Sequence, residues 1–115
     1  MGDTQREIAD GMLEVRTAFE GGAHVISLRG ELDLANAATA ETALQPALEA
    51  GDARVIVDMR ELEFIDSTGI ALLVAALARN DDEGARIRFV PSSSPSVTRV
   101  LELTGLAGRL PLAEL

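Results

Sequence analysis

The sequence predicts an α/β fold of order β-β-α-β-α-β-α, a small mixed sheet of four strands, or five, with helices packed mainly on one face. Three observations predict it. Two short alternating runs joined by Glu20-Gly21-Gly22 read as an antiparallel hairpin. The apolar run Arg54 to Met59 lies between two alanine- and leucine-rich stretches with helical spacing, the layout of β-α-β crossovers. Ser94-Pro95 then opens a third helix, serine as N-cap and proline at the first helical position.

Taken in order, Met1 to Gly11 reads as a flexible, polar lead-in. Met12 to Phe19 alternates, with Leu13, Val15 and Phe19 on one face and Glu14, Arg16 and Ala18 on the other. Ala23 to Leu28 is the second strand, with Ile26 and Leu28 inward, and it exits through Gly30-Glu31-Leu32-Asp33. Leu34 to Ala50 has the helical stripe Leu34, Ala37, Ala38, Leu44, Ala47, Leu48. Pro46 falls inside it and predicts a kink or restart, because proline removes a backbone bond and crowds the preceding turn. Arg54 to Met59 is the most apolar strand and therefore the most central. The helix after Ser67 is expected to reach about Asn80. It should stop before Asp81-Asp82-Glu83-Gly84, whose acids sit at the wrong end of the helix dipole. Arg86 to Val90 is a strand with a wet outer face. The helix opened by Ser94-Pro95 carries the stripe Val97, Val100, Leu101. It ends at Thr104-Gly105-Leu106, the glycine-plus-hydrophobe pattern of a Schellman stop. Leu110 to Leu115 is too short to assign.

The 115 residues are the size of a single domain, 1–115, which buries roughly two-thirds of its unfolded surface and needs no staples. There is no cysteine, which excludes disulfides and thiol chemistry. No signal peptide or membrane-spanning run is visible, so a cytoplasmic protein is expected. The net charge of −9 opposes binding to nucleic acid or to an anionic membrane. All ten basic residues are arginine. Without lysine there is no P-loop, no Schiff-base chemistry and no lysine partner for an aspartyl phosphate at Asp58. No cofactor or metal is called for.

The chemistry-bearing stretch is Phe64-Ile65-Asp66-Ser67-Thr68-Gly69-Ile70, where a strand end hands over to a helix start. Asp66 is suited to cap that helix, which places Ser67 at its first position beside the positive end of the dipole. On the tetrapeptide alone a purely local helix cap is the favoured reading of Asp, Ser and Thr here. Gly69 in the first turn costs about 1 kcal/mol against alanine, so something requires the missing side chain; a partner's backbone approaching closely is one such reason. A phosphate on Ser67 would meet free N–H groups at the helix start while Asp66 repelled it, which suits a reversible modification. Asp33, at the preceding strand exit, reads on its own as an N-cap for the Leu34 helix, and it opens onto the same edge as Asp66 if the two strands are neighbours. His24, the single histidine, belongs to the far end of its strand and is expected at the surface. Ser92, Ser93 and Ser94 are explained by loop and cap roles.

Three segments together resemble the STAS domain family, and within it the stand-alone anti-sigma factor antagonists. They are Gly30-Glu31-Leu32-Asp33, the run from Val57-Asp58-Met59 through Phe64 to Ile70, and Ser94 to Leu101 with Thr104-Gly105-Leu106. They span nearly the whole chain in the right order. The resemblance implies a STAS-like mixed sheet and a non-enzymatic regulator. Its unphosphorylated form would bind an anti-sigma factor of the serine-kinase type and release a sigma factor. Phosphorylation of Ser67 would switch that binding off. It implies a partner surface of Asp33, Asp66, Ser67, Thr68, Gly69 and Ile70, in a monomer or weak dimer. Thr68 stands where many members carry a second serine. A non-switching STAS subunit of a stress-signalling scaffold or lipid-transport complex is the alternative. A nucleotide hydrolase using Asp33 and Asp66 is disfavoured by the missing lysine.

Overall fold

The computed structural model describes residues 5–51, 53–80 and 86–113. Strands β1 (Arg6–Asp10), β2 (Leu13–Glu20) and β3 (Ala23–Leu32) lead into helix α1 (Ala37–Ala50). Strand β4 (Arg54–Ile65), helix α2 (Ser67–Leu77), strand β5 (Ile87–Val90) and helix α3 (Pro95–Leu103) follow. The strands lie side by side in chain order, β1-β2-β3 antiparallel and β3-β4-β5 parallel. This is the mixed α/β sheet that the sequence predicts, in its five-stranded form.

The fifth strand corrects the reading of Met1 to Gly11 as a flexible lead-in. Arg6 to Asp10 pairs with Thr17 to Leu13 across a two-residue turn. Residues 1–4 lie outside the described residues. As an edge strand, β1 is exposed along almost its whole length, so it has no buried alternation for a periodicity argument to find. The β2–β3 hairpin forms as expected: Gly21 and Gly22 both adopt positive φ, at 61° and 78°, as a two-residue primed turn requires.

Two strands run further than their alternation suggests. β3 continues through Gly30, whose φ of 99° and lack of a side chain let the Met12 carbonyl reach the Glu31 N–H at 2.9 Å. A Cβ on Gly30 would sit 2.0 Å from that carbonyl oxygen. β4 continues past Met59 to Ile65 because its register against β3 shifts twice, between Ser27 and Arg29 and between Gly30 and Glu31. Each shift adds one residue to β4. Met59, Leu62 and Ile65 consequently all face the core, at a spacing of three rather than two.

One large core lies on the helix-bearing face. Leu13, Ile26, Leu28, Val55, Val57 and Phe89 from the sheet meet Leu44 and Leu48 of α1, Leu73 of α2, and Val97 and Leu101 of α3. The other face is wet apart from a small patch of Ala23, Val25, Ile56 and Val90 under Ala113. Asp58 lies on this face and is buried beneath Arg60, whose guanidinium donates to both its carboxylate oxygens.

The helices differ from expectation mainly at their ends. α1 starts at Ala37, because Asp33 to Asn36 form a turn first, and it runs on through Pro46 without restarting. Pro46 lies on the exposed side, so its cost is confined to one backbone bond. α2 stops at Leu77, and the acidic turn after it lies outside the described residues. α3 ends in the expected Schellman motif: Leu106 N–H donates to Leu101 O at 2.9 Å, and Gly105 N–H to Glu102 O at 3.1 Å. No helix among the described residues is long and apolar enough to cross a membrane.

Candidate functional site at the β3–β4 edge

Parallel pairing of β3 with β4 ends at Leu32 opposite Ile65, so Asp33 and Asp66 emerge next to one another. The Asp66 N–H closes the ladder on Leu32 O at 3.2 Å. Asp66 itself is extended (φ −108°, ψ −172°), the usual backbone of an N-cap. Its Oδ1 accepts the N–H groups of Thr68 at 2.9 Å and Gly69 at 3.0 Å. Its Oδ2 accepts the N–H of Leu34 at 3.1 Å. One carboxylate therefore caps α2 and clips the β3–α1 turn to it.

Asp33 does more local work. Its Oδ1 accepts Ala35 N–H at 3.0 Å, and its carbonyl accepts Asn36 N–H at 3.1 Å and Ala37 N–H at 2.8 Å. The buried Asn36 side chain braces the same turn, accepting from Asp33 N–H and donating to Glu31 O. Burial without partners would cost this amide several hydrogen bonds; here both its ends are satisfied.

Ser67 is exposed, and its hydroxyl makes no hydrogen bond among the described residues. Thr68 is half-buried and faces a shallow groove between α1 and α2. Gly69 is buried, and the reason for its missing side chain is internal. A Cβ there would lie 2.6 Å from Ile65 Cγ1 and 2.9 Å from Leu32 Cγ. The expectation that a partner's backbone requires this glycine is thus corrected: a side chain there would crowd Ile65 and Leu32, on which α2 sits. Ile70 is half-buried against the core. Of the first-turn N–H groups, those of Thr68 and Gly69 are already taken by Asp66, so a phosphate on Ser67 would not be drawn back onto the helix by those two.

The structure adds a residue that the sequence reading placed in a buried stripe. Leu34 is 77% exposed, directly beside the Asp66 clip. It continues into the α1–α2 groove with Ala37, Ala38, Ala71 and Leu72. An apolar edge beside an exposed hydroxyl is the result. Nothing in the helical spacing separates Leu34 from the stripe; only the turn at Asp33–Asn36 does.

The other candidates lie elsewhere. His24 stands at the start of β3, half-buried, with its ring edge-on to Phe19 at 4.8 Å. Ser92 is buried and donates to Leu62 O at 2.6 Å, while Ser94 Oγ donates to Glu63 O at 3.2 Å; both tie the loop before α3 to the bulged part of β4. Asp66 has committed both oxygens to N–H donors, so it is poorly placed to take the Ser67 proton. Among the described residues no side chain is hydrogen-bonded to the exposed Ser67 hydroxyl as a base.

The family model described as "Mlab, STAS domain" matches residues 15–114. This chain belongs to the STAS domain family. Its relatives include the anti-sigma-B factor antagonist of Staphylococcus aureus, 29% identical over 97 residues, covering 82% of this chain and 86% of that one. The anti-sigma-F factor antagonist RsfB of Mycobacterium tuberculosis is 30% identical over 95 residues, covering 82% and 75%. Among solved structures, an anti-sigma factor antagonist from Mycobacterium paratuberculosis superposes with a TM-score of 0.80 at 25% identity, covering 93% of this chain and 90% of that one. The sheet and three helices of this STAS domain are thus those of that solved structure, and all three proteins named here are anti-sigma factor antagonists by name.

Proposed function

We propose that this STAS domain is an anti-sigma factor antagonist that a serine-kinase-type anti-sigma factor binds and phosphorylates at Ser67. The observation that carries the proposal is the contrast within one dipeptide. The Asp66 side chain is fully committed to the backbone, and the adjoining Ser67 hydroxyl is exposed without a partner among the described residues. A fixed backbone with a free hydroxyl is what a kinase substrate must offer. The relatives named above support the choice of partner.

In the transfer, Ser67 Oγ forms a bond to the γ-phosphorus of ATP as the bond to the β,γ-bridging oxygen breaks. ADP leaves, and the hydroxyl proton passes to a base supplied by the kinase. The product carries roughly −1.5 to −2 charges next to a carboxylate that cannot swing away without releasing three N–H groups. The new charge therefore faces outward, into the docked partner. Only about 1.4 kcal/mol of repulsion or desolvation cost is needed to weaken binding tenfold. Asp33, Thr68, Ile70, Leu34 and the α1–α2 groove supply the surrounding contact surface. Gly69 contributes by letting α2 sit down on Leu32 and Ile65.

Incubation with such a kinase and ATP should add one phosphate per chain, mapped to Ser67 by fragmentation mass spectrometry, and Ser67→Ala should add none. Persistent labelling of the alanine variant would remove the assignment. Tight binding with no phosphorylation at all would instead favour a non-switching STAS subunit.

A further inference from the structure

Among the described residues, the outer edge of β1 pairs with no further strand. We propose that it joins two copies of this chain, antiparallel and in register about Ile8. The ladder dictates which groups are available. Asp10 and Leu13 close a two-residue turn, so they form a hydrogen-bonded pair. Alternation then makes Ile8–Val15 and Arg6–Thr17 hydrogen-bonded pairs as well. The N–H and C=O groups of Glu7 and Ala9 consequently point away from β2, to the open edge. With Ile8 on the two-fold axis, Glu7 of each copy exchanges both bonds with Ala9 of the other, four backbone bonds in all.

The side chains select the same register. Arg6 and Ile8 face the apolar groove beside α1, and Asp10 Oδ2 accepts the Thr39 hydroxyl of α1, so these three share the helix-bearing face. About Ile8, each Arg6 meets Asp10 of the second copy and Ile8 meets Ile8. These positions are non-hydrogen-bonded pairs, where side chains approach most closely. Centring on Glu7 would set that carboxylate against itself, and centring on Ala9 would set Ile8 against Asp10. Only the Ile8 register matches every charge on the helix face with its opposite. It also covers Ile8, which is 41% exposed. The strand has neither the proline nor the lysine with which edge strands commonly refuse a neighbour. Five residues make a small contact, so the dimer belongs to the weak, transient class. This inference does not depend on Ser67.

Sedimentation equilibrium of the full chain tests it. Wild type should associate reversibly with rising concentration. Arg6→Asp alone and Asp10→Arg alone should each weaken association at least tenfold, since like charges then meet across the axis. An equimolar mixture of the two variants should recover wild-type association, because each then faces the opposite charges of the other. Ala9→Pro removes an outward N–H that makes no bond to β2. It should abolish association while the melting temperature stays near wild type. A wild-type chain that remains monomeric at millimolar concentration would overturn the proposal. So would a folded Ala9→Pro variant that associates undiminished, or folded charge variants whose mixture does no better than either alone.

Discussion

The two strand-to-helix exits on this edge begin alike and end differently. β3 and β4 are parallel neighbours, and each gives way to an aspartate after a buried aliphatic residue, Leu32-Asp33 and Ile65-Asp66. After Asp33 the chain makes a turn held by Asn36 before α1 begins. After Asp66 the chain enters α2 at once, with Ser67 as its first residue. The difference lies in where the carboxylates spend their oxygens. Asp33 serves its own turn through Ala35, whereas Asp66 serves both its helix and the neighbouring exit through Leu34. Residue type and sheet edge alone therefore do not assign a role. The hydrogen-bond partners do, and they make Asp66 the fixed point and Ser67 the free one.

The contrast can be broken from its strong side first. Asp66→Ala removes a cap and a cross-loop clip together and should cost about 2–3 kcal/mol in urea unfolding. A loss below about 1 kcal/mol would mean that the clip to Leu34 contributes nothing. Gly69→Ala should gain about 1 kcal/mol of helix propensity but lose more to crowding against Ile65 and Leu32, for a net loss of about 1 kcal/mol. A stabilised variant would show that α2 moves away freely. Asp33→Ala should cost only about 0.5–1 kcal/mol, because Asn36 still braces the turn. Parity with Asp66→Ala would erase the distinction between the exits. Ser67→Ala should stay within about 0.5 kcal/mol of wild type, as an exposed residue without a partner does.

Much of this was legible in the residues, for local reasons. The Gly21-Gly22 turn, the Asp66 cap and the Gly105 stop are each specified by a few adjacent residues, and each formed as those residues require. What is not legible there depends on tertiary pairing. β1 buries almost nothing and so has no period. Past Met59, β4 keeps its core contacts through two bulges, which convert alternation into a spacing of three that mimics neither strand nor helix. Leu34 fits a helical stripe on paper, yet the Asp33–Asn36 turn leaves it in the open. Gly69 was visible as an anomaly, but its cause, Ile65 and Leu32 beneath it, required the β3–β4 register.

In the proposed switch, Ser67 takes up charge on an otherwise unchanged fold. The direct test is a titration of a serine-kinase-type anti-sigma factor with unmodified protein and with protein stoichiometrically phosphorylated at Ser67, both checked for thermal unfolding. Phosphorylation should raise Kd by at least about tenfold, with melting temperatures that coincide. Equal affinities for the two forms, or weakened binding that tracks a loss of folded structure, would contradict it.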